Sequence, residues 1–249
     1  MPNLAALMLV VDGLSKSFGG LRALDRVSFS VSEGEILGLV GPNGSGKSTV
    51  FNVITGVHRP GAGTVRFLDQ DITGLPTHKV ARAGIGRTFQ LVRPFLALTA
   101  RQNVLAGAMF GPRRSRNPRA ADEPAETALE LVGLSDKADV PAADLTVLER
   151  KWLEVARVVA GRPRLILLDE FMAGIANAEI PQAVELVKRI NAGGVTVVIV
   201  EHIVKAITSA CERVVVLDAG KKLADGLVSE VVGDPAVIEA YLGHRHAAG

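Results

Sequence analysis

The segment GPNGSGKST, residues 41–49, constrains the fold of this 249-residue chain more than any other feature. It matches the pattern G-x-x-x-x-G-K-[S/T], follows the apolar stretch EILGLVG and opens a helix-like stretch, STVFNVITG. This context is typical of a loop that binds a triphosphate, because glycines let backbone N–H groups approach the phosphates and the helix N-terminus adds positive potential. The alternative, a chance glycine-rich turn, does not account for the flanking strand and helix.

Each residue of this phosphate loop is a candidate ATP ligand. Lys47 is expected to reach the β- and γ-phosphates, and the Ser48 hydroxyl to ligate Mg²⁺. The full set of predicted ATP-binding residues in the loop is Gly41, Pro42, Asn43, Gly44, Ser45, Gly46, Lys47, Ser48 and Thr49.

A second candidate element is RLILLDE, residues 164–170. Asp169 is placed at the carboxyl end of a buried strand, where ligands of open α/β sheets gather, and its carboxylate suits Mg²⁺. Glu170 follows and could polarise the attacking water as a general base. Adjacent acids at a strand end are often only turn residues. This pair indicates a nucleotide site because the chain also contains the phosphate loop.

The order of elements predicts an α/β fold with a parallel core sheet. After residue 163 the chain alternates strand and helix, and its strands are continuously apolar. The N-terminal stretches and GTVRFLD, residues 63–69, predict a small antiparallel sheet, and residues 92–163 read as helical. Asp234 is expected to cap a last helix that starts at Pro235 and stops at Gly243.

Composition narrows the function classes. The net charge of +2 is too small to indicate nucleic-acid binding. Cys211 is the only cysteine, which excludes a zinc site built from several cysteines. No apolar run reaches the ~18 residues that cross a bilayer. Contact with a membrane would therefore require another chain.

Three further elements, in this order, resemble those of ABC-type ATPases: Gln90 in GRTFQ, a segment starting at Leu145, and His202 in VTVVIVEH. The resemblance covers about residues 8–243 and implies one P-loop NTPase domain, with a helical subdomain at about 92–163 inserted in a RecA-like core. It also implies roles: Gln90 senses Mg²⁺ and the permease, and His202 contacts the γ-phosphate. Phe18 would stack on adenine, the alternative being a core phenylalanine.

The sequence departs from the family pattern in elements that act on the partner subunit's nucleotide. The family signature, usually L-S-G-G-Q or L-S-Y-G-Q, here reads Leu145, Thr146, Val147, Leu148 and Glu149. Leu148 replaces a glycine that lets the backbone approach the opposite γ-phosphate, and its side chain could block that approach or change φ. Past Glu170, Phe171 replaces the usual proline and Ala176 an Asp or Asn.

Within the family, SFGGLRALDRVSF, GIGRTFQLVRPFLALTARQNV and DPAVIEAYLG resemble ATPase subunits of branched-chain amino-acid importers. This resemblance implies an MgATP-driven dimer bound to separate permease subunits at the cytoplasmic face of the membrane. Because this chain's cis elements are intact and its trans elements are altered, we expect the second cassette to be a different chain. Lipopolysaccharide-transport ATPases and a weakly hydrolysing regulatory cassette remain alternatives. Soluble DNA-repair and translation members do not fit, because the chain lacks their insertions and their second cassette.

Overall fold

The structure of the protein is a computed structural model that describes residues 6–88, 94–111 and 119–246. Within it the chain divides into two compact units, Met1–Val80 with Thr196–Gly249 and Ala81–Val195. Gln90 lies outside the described residues, so its predicted role has no structural counterpart here. No helix in the described ranges combines the length and the apolar character needed to span a membrane.

The chain up to residue 83 is rich in strands. Its elements are β1 (Leu7–Phe18), β2 (Leu21–Ser32), β3 (Ile36–Val40), α1 (Lys47–Ile54), β4 (Ala62–Phe67), β5 (Gln70–Asp71) and α2 (Thr77–Ala83). Strand β1 pairs antiparallel with β2 and with β4, which confirms the predicted N-terminal antiparallel sheet. The sheet has the order β2-β1-β4-β5 and buries Leu9, Val11 and Leu14 of β1, whose alternation is interrupted by a register shift between Val11 and Leu14.

The middle of the chain is mainly helical. Its elements are β6 (Ile85–Arg87), α3 (Ala100–Phe110), α4 (Arg119–Val132), α5 (Val147–Ala160), β7 (Leu165–Asp169) and α6 (Ile180–Ala192). Helices α3, α4 and α5 pack against one another, and β6 pairs parallel with β7. Leu153, Ala156 and Ala160 of α5 are buried and form its apolar face.

The last part of the chain returns to the first unit. Its elements are β8 (Thr196–Val200), α7 (Val204–Ala210), β9 (Arg213–Asp218), β10 (Lys221–Leu227), α8 (Val228–Val231) and α9 (Pro235–His246). Strand β3 pairs parallel with both β8 and β9, and β10 adds antiparallel to β9. These parallel pairings confirm the predicted α/β fold, and they place the loop after β3 at the carboxyl end of a buried strand.

One predicted boundary is wrong. Asp234 does begin the last helix, where its Oδ1 accepts the Ala236 N–H at 2.8 Å, but the helix passes Gly243 and ends at His246. A glycine costs about 1 kcal/mol inside a helix, and it ends one only when its backbone leaves the helical region. Gly243 stays helical, whereas Gly133 after α4 has a φ of +74° and ends that helix.

Candidate active site

The phosphate loop joins β3 to α1. Gly46 is the N-cap of α1, with a φ of +107°, and no side chain caps the helix. The first N–H groups of a helix have no partner within it, so an uncapped start leaves donors for an anion. The loop therefore has the local geometry of a phosphate site.

Lys47 is folded back onto its own loop. Its ammonium is buried and donates to the carbonyls of Gly41 and Pro42, each at 2.8 Å. Ser48, the next residue, is exposed. The loop therefore holds the Lys47 ammonium next to the accessible Ser48 hydroxyl. Phosphate oxygens can replace the carbonyls as acceptors of hydrogen bonds from the ammonium.

At two positions of the loop, only glycine fits against the surrounding protein, whether or not a phosphate is bound. A Cβ at Gly41 would lie 2.0 Å from the Leu217 carbonyl oxygen, and one at Gly46 would lie 2.9 Å from the Ala23 carbonyl oxygen. From the sequence, these glycines are expected only to clear space for the phosphates. Their close contacts with β9 and β2 show that they also let the loop pack on its own unit.

Phe18 is not a core residue, so that alternative is wrong. Its side chain lies at the end of β1 and is 42% exposed. The ring meets His58 edge-on at 5.1 Å, and the Lys16 ammonium lies 5.1 Å from the ring centre. An exposed aromatic ring flanked in this way can stack on a base, and adenine stacking stays a prediction.

His202 follows β8 and is exposed, while the preceding Glu201 is buried. Both line a cavity of about 320 Å³ whose walls are mostly valine and isoleucine side chains of β9, α7, α8 and α9. Tyr241 of α9, the only tyrosine of the chain, also lines it. Burial raises the pKa of the Tyr241 hydroxyl, and a hydrogen bond from the Gly41 N–H opposes this rise. Through this hydrogen bond the last helix contacts the phosphate loop.

In the second unit, Asp169 ends β7 and is buried, and Glu170 follows it partly exposed with a φ of +49°. The Asp169 carboxylate accepts from the Arg87 guanidinium at 2.6 Å. Sequence reasoning missed Arg87, although it stands three residues before Gln90 in the motif GRTFQ. Its own segment carries no local signal for this contact, because the partner lies 82 positions away in the sequence.

The signature segment forms the start of α5. Thr146 is the N-cap, and its hydroxyl accepts the Glu149 N–H while the Glu149 carboxylate accepts the Thr146 N–H. Lys137 also pairs with Glu149. The hydrogen bond from Lys137, followed by the one from Thr146 N–H, lowers the pKa of Glu149. The pattern T-x-x-E at residues 146–149 is the local signal for this capping box, which was missing from the sequence-based expectations.

Leu148 lies in the first turn of α5 with ordinary helical φ, so a displaced backbone conformation is the wrong expectation. Its side chain is partly exposed, and Val147 before it is 67% exposed. Leu145, by contrast, is buried. The replaced glycine position therefore presents an aliphatic side chain at the helix start.

Phe171 and Ala176 follow Glu170. The Phe171 ring packs 6.2 Å from Trp152, and its carbonyl accepts from the buried Lys151 ammonium at 3.0 Å. This packing gives a physical reason for phenylalanine in place of proline. Ala176 is exposed, and its N–H donates to the Glu179 carboxylate at 3.1 Å.

Each unit has one candidate ligand whose oxygen chemistry suits magnesium. Ser48 of the first unit offers a hydroxyl and Asp169 of the second a carboxylate, and the described residues contain no group of three or more His, Cys, Asp or Glu that could hold a metal. Mg²⁺ in nucleotide sites is typically bound by one or two side chains together with phosphates and water. These residues therefore fit the ion that the motifs imply.

Each unit carries part of the predicted machinery. The first unit holds the phosphate loop, Phe18 and His202, and the second holds Asp169, Glu170 and the signature segment.

Comparison with known proteins supports the assignment of the chain to the ABC-type ATPases. The family model described as ABC transporter matches residues 24–173, and one described as branched-chain amino acid ATP-binding cassette transporter matches residues 221–247.

Relatives and solved structures agree with these matches. The chain is 39% identical to the high-affinity branched-chain amino acid transport ATP-binding protein BraF of Pseudomonas aeruginosa, covering 95% of this chain and 98% of BraF. It is 37% identical to the lipopolysaccharide export system ATP-binding protein LptB of Acidithiobacillus ferridurans, covering 96% and 98%. An ATP-binding cassette of an ABC transporter, solved in its ADP conformation, superposes with a TM-score of 0.88 at 32% identity, covering 96% of this chain and 100% of that one.

The fold and the phosphate loop define a nucleotide-binding P-loop ATPase. More specifically, the chain belongs to the ABC transporter family and is one of its ATP-binding cassettes. Such subunits work as dimers together with transmembrane permease components.

Proposed function

We propose that the chain is the ATP-hydrolysing subunit of an importer for branched-chain amino acids or related small solutes. It would act at the cytoplasmic face of the cell membrane, bound to separate permease subunits, with residues 8–243 working as one cassette. The observation that carries the proposal is the uncapped start of α1, with Lys47 buried in the loop and Ser48 exposed. The match at residues 221–247 favours amino-acid import over lipopolysaccharide export.

The proposed chemistry is phosphoryl transfer from ATP to water. Lys47 and His202 stabilise negative charge on the γ-phosphate, Glu170 orients and polarises the water, and Phe18 positions adenine. Ser48, Asp169 and Gln90 would hold Mg²⁺, which supplies charge neutralisation on the phosphates when bound. Catalysis of this kind depends on positioning and electrostatics more than on covalent steps.

We also propose that the second cassette of the dimer is a different chain. The loop, Asp169, Glu170 and His202 all have the residue types that the family uses on a subunit's own nucleotide. Leu148 and Ala176 are changed in segments that the family uses on the partner's nucleotide. In a heterodimer, this chain's own loop would receive an ordinary signature, and the partner's nucleotide would face Leu148 and turn over more slowly.

Glu170→Gln tests the hydrolytic role. The amide preserves shape but loses the basic carboxylate, so turnover should fall by about 10²–10⁴-fold while MgATP binding is retained. ATPase assays and nucleotide binding on the reconstituted complex measure both, with Glu185→Gln on the exposed face of α6 as the matched control. Parental turnover in Glu170→Gln would remove Glu170 as the base and make His202 the candidate.

The transported solute is tested with the whole complex in proteoliposomes. ATP-dependent uptake of labelled leucine, isoleucine or valine is expected, and Glu170→Gln should abolish it. Extraction of lipopolysaccharide without amino-acid uptake would overturn the substrate assignment but leave the ATPase assignment in place.

A further inference from the structure

The ends of β6 and β7 are joined by a buried ion pair. Arg87 donates to the Asp169 carboxylate at 2.6 Å, and the two side chains are only 7% and 5% exposed. Thr88 braces the same place, because its N–H donates to the Leu167 carbonyl at 3.0 Å and its hydroxyl accepts the Asp169 N–H at 3.2 Å. The pair is therefore held by the parallel strands and by the residue that follows β6.

A buried carboxylate requires a positive partner. Removing an ionised group from water is costly, and it is tolerated when a counter-charge and hydrogen bonds compensate. For Asp169 the chain itself supplies that counter-charge, through the Arg87 guanidinium. Asp169 is thus neutralised by the protein, independently of any metal ion.

We propose that Arg87 is a positioning residue of the magnesium site, which sets the order in which metal and nucleotide bind. The guanidinium holds the Asp169 carboxylate and reduces its attraction for Mg²⁺ alone. ATP brings negative phosphates together with the ion, and this added charge outweighs the repulsion from Arg87. The inference rests on the proposed function, and it predicts that the protein takes up MgATP but not free Mg²⁺.

Arginine suits this role better than lysine would. Its planar fork fixes the orientation of a carboxylate, whereas an ammonium is a compact point charge that fixes it less well. Thr88 adds a constraint on the backbone of Asp169, so both the side chain and the main chain of this residue are held. The carboxylate is then presented in one orientation to the incoming nucleotide-bound ion.

The test is thermal unfolding of the full chain without nucleotide, in EDTA and in MgCl₂. The parent should melt at the same temperature in both. Arg87→Gln leaves the Asp169 charge without its guanidinium, so it should melt lower in EDTA and recover in MgCl₂. The Mg²⁺ concentration that gives half of this rise in melting temperature should be at least about tenfold lower in Arg87→Gln than in the parent. The reason is that the variant lacks a positive charge close to the carboxylate that binds the ion.

Two variants serve as controls. Arg213→Gln removes another partly buried arginine, which pairs with Glu35 at 3.0 Å and Asp225 at 2.7 Å in the other unit. It should melt lower, and MgCl₂ should restore it less than it restores Arg87→Gln, because Lys222 still lies 3.0 Å from Asp225. Arg87→Gln combined with Asp169→Asn should also lose the response, because the carboxylate that attracts the ion is gone.

The outcomes separate the inference from the proposed function. Equal melting of Arg87→Gln in EDTA and MgCl₂, or a Mg²⁺ response as large in the parent, would overturn the role of Arg87. If Arg87→Gln is unfolded in EDTA, recovery of helical circular dichroism on adding MgCl₂ supports the role, and lack of recovery overturns it. Failure of the parent to bind MgATP would instead overturn the proposed function.

Discussion

Helices α1 and α5 begin in opposite ways, although both starts belong to segments that the family uses on nucleotide. Helix α1 follows Gly46 and has no side-chain cap, so its first N–H groups are left to a ligand. Helix α5 follows Thr146 and has a complete capping box with Glu149, so the chain uses its donors internally. The start of α1, which has no side-chain cap, leaves its N–H groups for a phosphate. The start of α5 is stabilised by its own capping box and needs no phosphate.

Lys47→Ala tests the α1 side of this comparison and should have the largest effect. The variant loses a charge-assisted hydrogen bond of about 1.5–3 kcal/mol, so MgATP binding should weaken about 10- to 100-fold and turnover should be abolished. Equilibrium binding and ATPase assays measure the two effects. Lys79→Ala on the exposed surface of α2 is the control, and unchanged turnover in Lys47→Ala would contradict the assignment of the loop.

Leu148→Gly sharpens the α5 side. Restoring the glycine should allow the backbone to approach the partner's γ-phosphate and raise turnover there by up to about a hundredfold, the effect of one transition-state donor of ~3 kcal/mol. Turnover is measured in the reconstituted complex, with the chain's own site silenced by Lys47→Ala. Val147→Gly is the matched control, since one branch of the family carries a side chain at that position.

The result also decides between two accounts of Leu148. If Thr146 and the start of α5 still hold the partner's phosphate, Leu148→Gly leaves turnover unchanged. Vigorous cooperative hydrolysis by the purified chain alone, as a homodimer, would contradict the asymmetric dimer altogether.

Thr146→Ala should have a moderate effect on stability and none on the chain's own nucleotide site. Loss of the N-cap hydroxyl costs about 1 kcal/mol of folding free energy, while binding of MgATP to the chain's own loop should not change. Denaturant unfolding and equilibrium binding measure the two, and Thr146→Ser should restore the stability. A large loss of nucleotide binding in Thr146→Ala would show that the two helix starts are not independent in this way.

Glu149 gives the smallest effect, through pH. Lys137 and the Thr146 N–H lower the pKa of this carboxyl below its ordinary value of 4.5 in the folded chain. The stability that it adds is therefore present above pH 4.5 and is lost as the pH falls through the lowered pKa. The stability difference between the parent and Glu149→Gln should shrink over that acidic range, and a difference that is constant with pH would exclude the ionised capping box.

The sequence predicted elements whose signals are local. The phosphate loop, β7 and β8 were identified because glycine spacing and continuous aliphatic runs are read within a few residues. Strand β6 was not predicted, since it has only three residues and includes Gly86 and Arg87. Its identity depends on pairing with β7, and Arg87 depends on a partner 82 positions away, so neither can be read from its own segment.

The candidate site shows the same division. The motifs named Lys47, Asp169 and Glu170, but the acceptors that hold Lys47 and the guanidinium that holds Asp169 required the folded chain. At the signature segment, the sequence showed the loss of glycine at 148. The self-capped helix is evident only in the structure, although Thr146 and Glu149 have the spacing that predicts one.

The left-handed backbone of Glu170, with a φ of +49°, has a consequence for attempts to improve this protein. A residue with a Cβ costs about 1–2 kcal/mol in that conformation, whereas glycine adopts it freely. A laboratory selection that rewards only heat resistance would therefore favour glycine at position 170. Such a selection would remove the proposed general base, so libraries built on this cassette need a second filter for turnover.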